Sequence, residues 1–151
     1  MRTYLVVIDE TPEARVALRF ASRRAIKTNG NVVIVAMVPR PEFVQWGGVQ
    51  AAMEAEAVER VEGLLADAAG ELTSDHGLQP EILVRKGEPT AIVHSILKEY
   101  PAICALVLGA APTGKPGPLV SHFSGTDVGQ LRCPVMIIPG SLDDASIDEL
   151  S

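Results

Sequence analysis

Leu106-Val-Leu-Gly-Ala-Ala-Pro-Thr-Gly-Lys-Pro-Gly-Pro-Leu-Val-Ser-His-Phe-Ser124 runs from an apolar strand, through a glycine- and proline-rich loop, into a helix. The strand begins at Ile103. After the helix comes Cys133-Pro-Val-Met-Ile-Ile-Pro139, a second apolar run whose Pro134 is tolerable at a first strand position. Strands apolar along their whole length are those buried on both faces of a parallel sheet. The intervening helix must return along a strand of about five residues, roughly 17 Å, which takes about eleven helical residues. Ser121 to Leu131 has that length, so Ser121 is read as the N-cap, with Gly125 and Gly129 packing the helix closely on the sheet.

The same alternation extends toward the N-terminus. Tyr4–Ile8 is an apolar run stopped by Asp9-Glu-Thr-Pro12. Thr11 before Pro12 reads as an N-cap with proline in the first turn, and Asn29-Gly30 ends that helix. Val32–Val38 is a second buried strand, and residues 39–50 read as a loop. The next helix carries an apolar stripe, Met53, Ala57, Val61, Leu64, Leu65, Ala68 and Leu72, with acidic residues on other faces. Glu81–Arg85 is a more polar strand, expected at a sheet edge. Gly87-Glu-Pro-Thr turns into a helix over residues 90–100. The order is βαβαβαβαβ. It implies an α/β fold: one domain over residues 1–140, doubly wound, with a mainly parallel five-stranded sheet and helices on both faces. Residues 141–151 are acidic and short of large apolar side chains, and are expected to form a mobile tail.

Composition bounds the function. The chain has 151 residues, a net charge of −6 and a pI of about 5.0. That charge argues against nucleic acid as a partner. No signal-peptide pattern or spanning segment is read, so a cytoplasmic protein without membrane contact is expected. Cys104 and Cys133 read as reduced core thiols. No catalytic constellation is identified: no nucleophile elbow is present, and His76, His94 and His122 are far apart with no metal-ligand spacing.

Ligands of doubly wound sheets bind outside the carboxyl ends of the strands, where strand order reverses. Three segments compete for that place: Asp9–Thr11, Met37–Val38, and the loop from Gly109 to Ser124. In the loop, Gly114 and Gly117 permit positive φ, Lys115 adds a cation, and a helix start follows. Against an anion cradle, Pro112, Pro116 and Pro118 have no N–H to donate. The loop therefore reads either as a ligand cradle or as a rigid structural turn. Asp9 reads either as a ligand acceptor or as the start of the turn before Pro12.

The segment from Leu106 to Ser124, the Cys133-Pro-Val run, Leu5-Val-Val-Ile-Asp9 and Gly87-Glu-Pro-Thr together resemble the universal stress protein family over residues 3–139. The resemblance implies strand order 3-2-1-4-5, a homodimer paired through the last strand, and a stress-response role. The family has ATP-binding members and members without nucleotide binding, so the resemblance makes ATP, with Mg, a candidate ligand and not a required one. The family's nucleotide pattern is Gly-x2-Gly-x9-Gly followed by Ser or Thr. Gly109 matches its first position, but Pro112 and His122 stand at the second and third. The site the resemblance implies comprises Asp9, Met37, Val38, Gly109, Gly114, Lys115, Gly117, Ser121 and His122. Two alternatives remain: a slow nucleotide hydrolase using the same loop, and a structural or partner-binding dimer that holds no nucleotide.

Overall fold

A computed structural model describes residues 1–38 and 47–151. Its elements alternate in the order the sequence predicts. They are β1 (Thr3–Ile8), α1 (Pro12–Lys27), β2 (Asn31–Val38), α2 (Gly47–His76), β3 (Glu81–Lys86), α3 (Pro89–Glu99), β4 (Ile103–Ala110), α4 (Pro118–Phe123), β5 (Val135–Pro139) and α5 (Asp144–Leu150). A 3-10 helix, Thr126–Gln130, lies between α4 and β5. The five strands form one parallel sheet in the order β3-β2-β1-β4-β5. The polar strand β3 is an edge, as its composition predicts.

The apolar runs are continuous because alternate residues feed two cores. Tyr4, Val6 and Ile8 join Ile34, Val107 and the buried faces of α1 and α2 on one side. Leu5, Val33, Val35, Leu106 and Leu108 meet α3 and Phe123 on the other. A one-residue slip in any central strand would exchange these two sets, so packing fixes the register.

Local signals set the starts of α1 and α3. The Thr11 side chain accepts from the Ala14 N–H at 3.3 Å, with Pro12 in the first turn. Glu88 caps α3 by accepting from the N–H groups of Thr90 at 3.0 Å and Ala91 at 2.9 Å. The Thr90 hydroxyl most of all, and these two N–H groups after it, hold the Glu88 carboxyl below its ordinary range.

Three segments depart from their sequence expectations. The helix expected over Ser121–Leu131 is shorter and starts earlier: α4 begins at Pro118, directly after its N-cap Gly117, and ends at Phe123. Ser121 is therefore inside the helix and not its cap, and its N–H donates to the Gly117 carbonyl at 2.9 Å. Six residues rise only about 9 Å, and the rest of the crossover is made by the 3-10 helix and an extended segment. The physical reason is Ser124-Gly125-Thr126, a run of poor helix formers, at which the α-helical path stops. Neither glycine packs that helix on the sheet. A Cβ at Gly129 would meet nothing within 4 Å, and one at Gly125 would meet only the Ser121 and His122 carbonyls of α4 itself.

The second departure concerns residues 39–50. Residues 39–46 lie outside the described residues, while 47–50 belong to α2. The third concerns the acidic segment 141–151. It contains α5, capped by Asp143, with Ile147 fully buried. The Arg19 guanidinium grips Asp148 through two hydrogen bonds of 3.0 and 2.8 Å. Composition alone hides this because a single buried isoleucine and a charge partner 129 residues away carry the docking.

Candidate functional site

The sheet grows outward from β1 in both directions, with β2 on one side and β4 on the other. The chain leaving β1 enters α1 on one face, and the chain leaving β4 enters α4 on the other. A crevice therefore opens at the carboxyl ends of β1 and β4.

One wall is the turn from β1 into α1. Asp9 Oδ1 accepts from the Thr11 N–H at 2.9 Å and from the Thr11 hydroxyl. Among the described residues Oδ2 has no partner, so half of this carboxylate is left to accept from a ligand. The opposite wall is the loop after β4. The Ala111 N–H donates to the Pro116 carbonyl at 3.1 Å, which pinches residues 111–116 into a closed turn. Gly117 follows with φ of 120°, a conformation an L side chain rarely adopts.

Between these walls lies a pocket of about 140 Å³, lined by Asp9, Thr11, Glu13, Gly109 and the segment 116–120 among others. Asp9 also borders a second hollow of about 290 Å³, formed with Ile8, Met37, Ala57, Arg60, Val61 and Leu64. One carboxylate thus borders both a smaller pocket and a larger one, each with a mostly apolar lining. Arg60 is turned toward Glu10, at 3.7 Å.

The residues expected from sequence divide into two groups. Asp9, Gly109 and Gly117 meet in the first pocket, and Met37 lines the second. Val38 is buried, and its carbonyl accepts from the Gly87 N–H at 3.3 Å. Gly114, Lys115, Ser121 and His122 line neither pocket. His122 turns instead to Asp127, with Nε2 at 3.0 Å from Oδ2, and stacks edge-on against Phe123. Its ring also lies 6.5 Å from that of His94, so two histidines distant in sequence are neighbours in the fold. Among the described residues, no group of three or more His, Cys, Asp or Glu is arranged to hold a metal.

Gly109 has a different role from the one its motif position implies. A Cβ there would stand 2.0 Å from the Glu13 carbonyl oxygen. The glycine lets α1 close onto the end of β4. Sequence reasoning missed Glu13 and the contribution of α2 through Ala57, Arg60, Val61 and Leu64. The available signal for Glu13 was its position in the first turn after Pro12. Ala57, Val61 and Leu64 lie on a helical stripe that reads as core, and only packing separates the part that borders a hollow. Cys133 is buried, and that burial raises its thiol pKa, which disfavours the thiolate a nucleophile requires.

The chain has no match among curated protein sequences. Among solved structures, it resembles universal stress protein UspA from Lactobacillus plantarum at 17% identity and a TM-score of 0.76, covering 91% of this chain and 97% of that one. A universal stress protein from Archaeoglobus fulgidus in complex with dAMP aligns at 18% identity and a TM-score of 0.59, over 91% of this chain and 98% of that one. A universal stress protein family protein from Arabidopsis thaliana with AMP bound aligns at 17% identity and a TM-score of 0.64, over 97% and 99%. These likenesses establish the fold. The universal stress protein family model matches residues 1–139, which hold the whole sheet and every helix but α5, and the chain belongs to that family.

Proposed function

We propose that this protein is a stress-response module that holds an adenine nucleotide at the crevice between β1 and β4. The observation that carries the reading is Asp9, which borders both pockets and whose Oδ2 has no partner among the described residues. An adenine base or ribose suits that position, because it combines apolar faces with N–H or O–H donors. The nucleotides held by the Archaeoglobus and Arabidopsis neighbours support the choice of ligand class. ATP with Mg is the fullest ligand the family resemblance implies, with Gly114, Lys115, Gly117, Ser121 and His122 toward its phosphates.

Calorimetry with adenine nucleotides, with and without Mg, tests the reading. Binding should be measurable for the wild type and weakened at least tenfold in Asp9→Ala. No heat and no thermal shift at millimolar nucleotide would overturn it and leave the loop as a structural turn.

The same reading includes a homodimer. β5 is a sheet edge, and Ile137 on it is 39% exposed, so an apolar strand with open backbone groups is available for pairing. Sedimentation should give a dimer at micromolar concentration, weakened in Ile137→Lys. A wild-type monomer under those conditions would overturn it. Cys104 and Cys133 are free thiols, which suits a reducing, cytoplasmic setting.

A further inference from the structure

We infer that Arg60 of α2 is a specificity-determining residue of the crevice: its guanidinium lays its flat face against the base of the bound nucleotide and takes no part in holding the phosphates. The inference rests on the adenine reading of the site and adds to it a residue that neither the strand ends nor the loop supplies.

Three observations carry it. First, Arg60 breaks a pattern. Ala57, Arg60, Val61 and Leu64 stand at helical spacing on one face of α2, and all four line the hollow beside Asp9. Three are apolar, as a helix face turned toward a sheet should be, and the fourth is a cation. Its methylene stem extends the apolar wall, while a side chain 69% exposed keeps its charged head near water at the mouth.

Second, the guanidinium is lightly held. Its Nε lies 3.7 Å from Glu10 Oε1, and the Glu10 side chain is itself 64% exposed. That distance is too long for a hydrogen bond, and an exposed pair of this kind contributes little to stability. The plane is therefore free to turn. A guanidinium stacks on an aromatic ring through its face and meets carboxylates in its own plane, so stacking does not require giving up Glu10.

Third, the surroundings suit a base better than a phosphate. Glu10 shares the lining with Arg60, so a phosphate brought to the guanidinium would also approach that carboxylate and be repelled. A neutral base meets no such penalty. Its faces suit Met37, Val61 and Leu64, and its N–H groups suit the free oxygen of Asp9. Gly117, read as facing the phosphates, lines the other pocket.

Isothermal titration of the full chain with adenosine, AMP and ATP, Mg present throughout, tests the assignment. Arg60→Ala should weaken all three ligands by about three- to tenfold, and by the same factor to within about twofold. Arg60→Lys keeps the charge and loses the plane, so adenosine should still bind at least about twofold more weakly than to the wild type. Circular dichroism melts of both variants should match the wild type, because the side chain is exposed. Unchanged adenosine affinity in Arg60→Ala, full affinity in Arg60→Lys, or a loss confined to ATP would overturn the inference and leave the adenine reading intact. Wild-type binding of ATP without detectable adenosine or AMP would overturn it too, by placing the hold in the phosphates. Silence from all three ligands would overturn the adenine reading and this inference with it.

Discussion

The two ends of α1 treat their acidic neighbours in opposite ways. At its N-terminal end, Asp9 and Glu13 face a pocket, and one Asp9 oxygen has no partner among the described residues. At its C-terminal half, Asp148 of α5 is held by Arg19 and Arg23, while Lys27 donates to the Asp148 carbonyl at 3.0 Å. The Asp9 carboxylate is left open to a ligand, and that of Asp148 is engaged in docking a helix. Asp9 is exposed, so water satisfies its free oxygen until a ligand donor replaces it. Asp148 is partly covered by α1, and its charge is tolerated there because the arginines pair it.

This contrast can be broken at either end. The largest effect is expected from Gly109→Val at the pocket end. Its Cβ would collide with the backbone of Glu13, so roughly 3 kcal/mol or more of stability should be lost in a denaturant titration. Ile147→Ala at the docking end comes next. The side chain is fully buried, and its truncation should cost roughly 2–3 kcal/mol, with amide exchange rising first in α5.

A smaller effect should follow from pH. Hydrogen bonding to Arg19 is the main cause that holds the Asp148 carboxyl below its ordinary range. Its folded value is depressed, so its contribution is present above the unfolded value of about 4 and lost as pH falls through the folded one. Thermal melts from pH 6 to pH 2 should therefore fall less steeply for Asp148→Asn than for the wild type. An unchanged acid limb would mean that the ion pair does not hold α5. The smallest stability effect is expected from Asp9→Asn, whose amide oxygen can still accept from the Thr11 N–H. Its melting temperature should stay within a few degrees of the wild type while adenine binding weakens.

Much of this architecture was legible in the chain. Tyr4–Ile8, Val32–Val38 and Ile103–Leu108 are apolar without interruption, and burial on both sheet faces is the condition that tolerates such runs. Thr11-Pro12 marked a helix start because capping depends on neighbours in sequence. Asp9 was legible as a candidate for the same reason, since it ends a strand at the side of the sheet where ligands bind.

What the sequence determined by itself was local: element types, their order, and the caps that depend on adjacent residues. Tertiary structure decided the rest. It docked α5 on α1, joined His122 to Asp127 and His94, and filled the space at Gly109 with the Glu13 carbonyl. It also divided the α2 stripe between core and hollow, with Leu65, Ala68 and Leu72 buried and Ala57, Val61 and Leu64 beside Asp9. Each of these contacts joins atoms that only the packed fold brings together. Periodicity and propensity report on a residue's own element, whereas such contacts depend on where a second element comes to rest against it.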